Sequence, residues 1–133
     1  GIRAQCKEEA ELIQSSERIN TWYAHQIAAN AKWQDEVIAA LPAQVYLTID
    51  ADGFDPSVMP AVGTAEPGGL QWYETLTFLK KVCTQKEIIG FDIVECAPKE
   101  GEILTQFNLA KLAYKIIGYC TLNPVFASKY CKQ

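Results

Sequence analysis

Three carboxylates follow one another in Thr48-Ile49-Asp50-Ala51-Asp52-Gly53-Phe54-Asp55-Pro56, directly after an apolar run. If that run is a strand, residues two apart point to the same face, and Asp50 and Asp52 aim four oxygens at one small volume. Carboxylates so close repel unless a cation, a proton or a basic side chain intervenes. A hard divalent ion is the economical partner, and oxygen ligands favour magnesium, calcium or manganese. The spacing is not that of a calcium hand, because Gly53 falls at the fourth loop position and such a loop needs glycine at the sixth. The other reading is structural, since aspartate is common in Asx turns and helix caps where strands end. Asp55, before Pro56, is read as shaping the turn.

A second apolar run ends in acid: Phe91-Asp92-Ile93-Val94-Glu95-Cys96-Ala97-Pro98. Asp92 sits within the run and Glu95 at its carboxyl edge, so a shared sheet rim would carry Asp50, Asp52 and Glu95 as a negative pocket. A planar guanidinium matches a carboxylate bidentately, which makes Glu95 a candidate receptor for a cationic substrate as well as a metal ligand. Alternatively each acid pairs with a Lys or Arg of a neighbouring loop. The single histidine, His25, lies in an aromatic stretch with no partner base or ligand spacing around it, and is read as structural. Cys6, Cys83, Cys96, Cys120 and Cys131 are odd in number and contain no Cys-x-x-Cys pair, so they suggest reduced thiols rather than a disulfide framework or zinc ribbon.

Such a rim needs strands to carry it. Gln44-Val45-Tyr46-Leu47-Thr48-Ile49, closed by Asp50, and Ile88 to Val94 are near-continuous apolar runs, the pattern of strands covered on both faces. A further strand is expected near 20–25, where Ile19 to Ile27 is dense in aromatic and β-branched residues. Helices are expected over Lys7–Glu17, Ala28–Leu41, Leu70–Val82 and Thr105–Tyr119, the last with Phe107, Leu109, Leu112, Ile116 and Ile117 as its apolar positions. Asp52 to Gly69, with its glycines and prolines, reads as a long structureless loop of the kind that is usually functional. The tail from Asn123 to Gln133 reads as a surface extension. Alternating β and α elements imply an α/β fold, a mainly parallel sheet with helices on both faces, and a site outside the carboxyl ends of its strands.

The whole chain is expected to form one domain over residues 1–133. Its 133 residues are 49% apolar and 21% charged, a balance suited to one folded core. Twelve Lys and Arg against sixteen Asp and Glu leave a net charge of −4 with no basic run, which disfavours nucleic acid as a partner. No stretch approaches the roughly 20 unbroken apolar residues that span a bilayer, and the first residues lack the apolar core of a secretory signal. The expected location is therefore cytoplasmic, with no membrane partner.

Three segments together resemble the last two signatures of the ureohydrolases, the arginase and agmatinase family. They are Asp50-Ala51-Asp52-Gly53-Phe54-Asp55-Pro56, Pro60 to Leu70, and Phe91-Asp92-Ile93-Val94-Glu95. Gly1-Ile2-Arg3 also resembles the strand end that precedes this region in agmatinases, and Glu66-Pro67-Gly68-Gly69 is closer to the agmatinase loop than to the arginase one. The resemblance implies a three-layer α/β/α fold and hydrolysis of a guanidinium group to urea and an amine with two manganese ions. It implies Asp50 and Asp52 as manganese ligands, Glu95 as the guanidinium-binding acid and Thr64 as support for the substrate end of the pocket. The substrate would be a small guanidino compound such as agmatine or arginine.

The resemblance also has a gap. The family's Gly-Gly-Asp-His and Asp-Ala-His-x-Asp segments, which bring the remaining metal ligands, do not occur in these residues, and His25 matches neither. The expectation is a carboxyl-terminal segment of a larger enzyme, inactive by itself and, with a severed sheet edge, prone to self-association as a homo-oligomer. The competing expectation is a non-catalytic α/β binding module whose acidic rim holds a structural cation or a basic partner.

Overall fold

A computed structural model describes residues 4–131. The likeness of Gly1-Ile2-Arg3 to a strand end lies outside them. Along the chain run α1 (Lys7–Ser15), α2 (Ala24–Ala29), α3 (Trp33–Ala40), β1 (Gln44–Asp50), a 3-10 turn (Ala51–Gly53), α4 (Trp72–Gln85), β2 (Glu87–Val94), α5 (Leu104–Cys120) and α6 (Pro124–Tyr130). The two strands pair in parallel, joined by a connection that contains α4. This is an α/β arrangement with the strand, loop, helix, strand order expected of the central segment.

Register matters here because it sets which side chains share a face. Val45 stands opposite Ile88, Tyr46 opposite Gly90, Thr48 opposite Asp92 and Asp50 opposite Val94. The step from Ile88 to Gly90 leaves Ile89 as an extra residue, a bulge that keeps the alternation of the two strands in phase beyond it. Val45 and Ile88 are buried, and Leu47, Ile49, Phe91 and Ile93 pack against the same core. Leu79, Val82 and Cys83 of α4 and Leu112, Ile116 and Cys120 of α5 complete it. Each such aliphatic side chain contributes about 1.5–3 kcal/mol on burial.

The opposite face of the pair is open. Tyr46 and Ile89 are 57% and 59% exposed, and Thr48 and Asp50 are exposed as well. Within the described residues, helices cover one face of the strand pair. An apolar run with no strict alternation cannot by itself show whether a second layer lies over it. On α5 the burial stripe likewise takes Leu109, Leu112 and Ile116 inward, while Phe107 and Ile117 face outward.

Four expectations are corrected. The strand near 20–25 does not form. Tyr23 caps α2 instead, its backbone N–H donating to the Gln26 side chain at 3.1 Å, and His25 lies on an exposed helix with its ring stacked on Tyr23 at 5.9 Å. The Ala-His-Gln-Ile-Ala-Ala sequence has helix propensity that the aromatic density before it conceals. The single helix over Ala28–Leu41 is two, because Asn30 Oδ1 accepts from Lys32 N–H at 2.9 Å and breaks the ladder in an Asx turn before α3.

The Asp52–Gly69 connection is ordered rather than structureless. Within it Phe54, Met59, Ala61 and Val62 are buried, and α5 holds the segment down. Thr105 Oγ1 accepts from Ala61 N–H at 2.8 Å, and Asn108 Nδ2 donates to Val58 O at 2.9 Å. The tail is not a loose extension either. Asn123, only 5% exposed, caps α6 through Oδ1 and donates from Nδ2 to the carbonyls of Cys83, Thr84 and Lys86 at the end of α4.

Candidate active site

β1 ends because Asp50 turns on itself. Its Oδ1 accepts the N–H of Asp52 at 3.1 Å, the Asx geometry that starts the 3-10 turn Ala51–Gly53. Asp52 thus lies in that turn, not two residues along an extended strand, and the argument that strand alternation aligns the two carboxylates is corrected. What joins them is the turn itself: Asp50 grips the backbone of Asp52. The side chain of Asp52 is in turn an acceptor for the hydroxyl of Thr64.

Thr64 is held there by a loop that closes on the same turn. Leu70 N–H donates to Gly53 O at 3.0 Å and Asp55 N–H to Leu70 O at 3.1 Å, which pairs Phe54 with Leu70. Gly69 stands against this pair so closely that a Cβ there would lie 2.4 Å from the Phe54 carbonyl carbon, so only glycine fits. Asp55 ties the loop from within, accepting Ser57 N–H at 3.0 Å and Gly68 N–H at 3.1 Å. These bonds, led by the Ser57 hydroxyl, hold the Asp55 carboxyl below the usual carboxylate range. Asp55 is thus the turn former it was read to be.

Glu95 follows β2 with φ at 60°, the one non-glycine residue with positive φ among those described. A left-handed conformation costs an L-residue about 1–2 kcal/mol and is held by its surroundings, often near functional sites. The hold is visible: beyond Glu95 the chain turns to pair Cys96 with Val62, and Ala97 N–H donates to Ala61 O at 2.9 Å. The loop that carries Thr64 is thereby tied to the residue after Glu95. Because Asp50 is level with Val94, Asp50 and Glu95 leave the sheet at the same end of adjacent parallel strands, where ligands bind in open α/β sheets. Asp92 stands lower on the open face, accepting from the Tyr46 hydroxyl at 3.0 Å, and this bond raises the Tyr46 pKa above the usual phenol value.

A cavity of about 470 Å³ is lined by Asp52 and Gly53 of the turn, Glu66 to Gly69 of the loop, Glu74 of α4, and Trp22 and Tyr23 before α2. Asp50 and Glu95 lie outside that lining. Sequence reasoning missed Trp22, Tyr23 and Glu74 as neighbours of the turn. The adjacent Trp-Tyr pair was the available signal, and reading it as a strand hid it.

Chemically, Asp50 and Asp52 offer hard anionic oxygens of the kind manganese takes. They are two, and among the described residues no group of three or more His, Cys, Asp or Glu is placed to hold a metal ion. The donor chemistry fits such an ion, and the donor number leaves its shell to be completed from elsewhere. Two of the thiols are unsuited to this chemistry. Cys83 and Cys120 are buried, and burial raises both pKa values, which keeps them protonated.

Known proteins share this frame. A profile described as the arginase family matches residues 1–118. The N(1)-aminopropylagmatine ureohydrolase of Synechocystis sp. is 50% identical over 119 residues, covering 89% of this chain and 39% of that protein. An enzyme of the same name from Thermus thermophilus is 36% identical over 129 residues, covering 97% of this chain and 43% of its own. Among solved structures, arginase from Bacillus subtilis superposes with a TM-score of 0.78 at 25% identity, covering 87% of this chain and 42% of that one. Entamoeba histolytica arginase, solved with L-ornithine, gives 0.74 at 29% identity over 89% of this chain and 41% of its own. The chain thus spans about two fifths of the length of the relatives it matches. The family match across almost the whole chain, the half-identical ureohydrolase and the shared fold agree that this protein belongs to the arginase family of ureohydrolases.

Proposed function

We propose that this chain forms the carboxyl-terminal part of a manganese-dependent ureohydrolase of the agmatinase kind. The reaction adds water to a substituted guanidinium and yields urea and the protonated amine, so that atoms and charge balance. In this reading Asp50 and Asp52 are manganese ligands, and the ions supply a Lewis acid that makes water nucleophilic at neutral pH. Glu95 accepts the guanidinium N–H groups and orients the central carbon, using charge-assisted bonds worth about 1.5–3 kcal/mol. Thr64, bonded to Asp52, positions that carboxylate and the substrate end of the loop.

The observation that carries this reading is the common exit of Asp50 and Glu95 from paired parallel strands, with the Thr64 loop pinned to both ends of the site. The relatives named N(1)-aminopropylagmatine ureohydrolase support a substrate whose guanidine sits on an amine-bearing chain. The isolated chain is expected to release no urea and to bind manganese weakly, because two carboxylates make an incomplete shell.

The test is metal content beside urea release in the complete enzyme that contains this chain. Asp50→Asn and Asp52→Asn are each expected to lower both together, since removing an anionic ligand weakens ion binding and water activation at once. Normal metal and normal turnover in both variants would overturn the assignment of Asp50 and Asp52 as metal ligands, whereas a complete protein that releases no urea from any guanidino compound would replace this reading with that of a binding module whose acidic rim serves a basic partner.

A further inference from the structure

Five cysteines are spread along the chain, and two of them meet in its core. Cys83 lies in the last turn of α4 and Cys120 is the last residue of α5, two helices that pack on each other. Asn123 ties the two positions together, since its Nδ2 donates to Cys83 O at 3.2 Å and its backbone N–H donates to Cys120 O at 3.0 Å. The side chains meet as well: the Cys83 thiol donates a hydrogen bond to the Cys120 sulfur. Both belong to one core cluster with Leu79, Val82, Leu112 and Ile116. The proposed hydrolysis uses neither thiol.

The two sulfurs are not equivalent. Burial raises both thiols above the ordinary cysteine range, Cys83 by a large margin. The hydrogen bond between them then acts in opposite senses, holding the proton on Cys83, the donor, and favouring the anion on Cys120, the acceptor. Cys120 is also the one that reaches the surface, with 4% of its area exposed against none for Cys83. It sits where α5 ends, and helix ends are the parts that open most readily. A sulfur that can ionise beside a second, protonated thiol is the arrangement in which a first oxidation is followed by bond formation to the neighbour.

We propose that Cys83 and Cys120 are a disulfide-forming pair closed by hydrogen peroxide, in which Cys120 is oxidised first and Cys83 resolves it. The Cys120 thiolate attacks one peroxide oxygen. An S–O bond forms as the O–O bond breaks, and the departing hydroxide takes up the proton the thiol gave away, leaving as water. The Cys83 sulfur then attacks the sulfenic sulfur of Cys120. The S–S bond forms, the S–O bond breaks, and hydroxide leaves with the Cys83 proton as a second water. Two thiols thus give up two electrons, and one peroxide is reduced to two waters. The bond staples the end of α4 to the end of α5 and closes a covalent loop around β2 and Glu95. It is independent of the ureohydrolase reading.

Peptide mapping of the folded chain after hydrogen peroxide, in dilute solution without denaturant, tests the pair. Cleavage after Lys81, Lys86, Lys115 and Lys129 releases peptides 82–86 and 116–129, each with one of the two cysteines. The expected product is these two peptides joined, lighter by two hydrogens, from a chain whose circular dichroism is unchanged. Because the link constrains the unfolded chain, Tm is expected to rise by roughly 5–15 °C and to return on reduction. In Cys83→Ser, peroxide is expected to leave a sulfenic acid on Cys120 that dimedone labels in peptide 116–129. In Cys120→Ser, Cys83 is expected to stay unlabelled. Free Cys83 and Cys120 in wild-type chain whose exposed Cys6 and Cys131 have reacted would overturn the proposal, and so would a link from either to another cysteine. Dimedone on Cys83 instead of Cys120 would overturn the assigned order. A link that lowers Tm would show that the fold must distort to make it, and would overturn the pair as well. The wild-type map decides by itself if either serine variant fails to fold.

Discussion

The hydroxyl of Thr64 donates to Oδ2 of Asp52, twelve residues earlier, and so latches a glycine-rich loop onto the turn that ends β1. Loop and turn are otherwise joined through Leu70, Gly53 and Asp55, on the far side of the loop. Thr64 is thus the tie nearest the proposed metal ligands. Thr64→Val keeps the shape and removes the donor, while Thr64→Ser keeps the donor. Amide hydrogen exchange over residues 63–69 is expected to quicken by about tenfold in the valine variant and to stay near wild type in the serine variant, in line with a bond to a charged acceptor. Equal protection in all three would mean the latch holds nothing.

Glu95→Gln separates binding of substrate from binding of metal. The substitution keeps size and shape but removes the charge that would pair with a guanidinium. In the complete enzyme the expected result is unchanged manganese content with kcat/KM lowered by about 10–150-fold, the equivalent of one charge-assisted bond of ~1.5–3 kcal/mol. Manganese lost along with activity would make Glu95 a metal ligand instead. Because Glu95 holds a left-handed backbone, Glu95→Gly serves as a control that relieves strain while removing the carboxylate, and it is expected to lose turnover equally.

What the sequence made legible follows from how local each signal is. Val45 to Ile49 and Ile88 to Val94 form strands because their apolar runs are bounded by turn residues, and the acids that end them are placed by the same punctuation. Leu109, Leu112 and Ile116 are found at helical spacing on the buried side of α5 for the same reason. Alternation puts Asp52 on the strand because it assumes that extension continues, and the Asx bond from Asp50 ends that extension sooner. Trp22 and Tyr23 carry strand propensity but lie at the start of a helix, where capping by Gln26 outweighs it. Asn123 is beyond local reading altogether, since the carbonyls it binds are 37 to 40 residues away at the end of α4.

That buried asparagine makes a sharp stability test. It satisfies three carbonyls through one amide nitrogen and two N–H groups of α6 through its oxygen. Asn123→Ala leaves these groups unpaired, and a lost cap together with unsatisfied buried polar groups costs about 2–4 kcal/mol. Asn123→Asp keeps the cap acceptor but turns a carboxylate oxygen toward the carbonyls, so it is expected to destabilise at least as much. Urea unfolding of the two variants reads this directly. An aspartate variant as stable as wild type would show that the cap alone matters and the carbonyl contacts contribute nothing.

Asp55 gives the loop a dependence on pH whose sign follows from its partners. Ser57 donates to its Oδ1 from both hydroxyl and backbone N–H, Gly68 donates to its Oδ2, and all three bonds favour the ionised form, so the folded pKa lies below the unfolded one. A group shifted this way adds stability that is fully present above its unfolded pKa and is lost as pH falls through the folded value. The loop is therefore expected to be indifferent to pH through the neutral range and to loosen only in acid below the ordinary aspartate value of about 3.9. The amide resonances of Ser57 and Gly68 are the reporters, since each proton points at the carboxylate that titrates. Both are expected to shift with one shared midpoint below that value, and the step is expected to vanish in Asp55→Asn. Two separate midpoints, or a shared midpoint at or above the ordinary value, would mean that Asp55 does not clamp the loop at both ends.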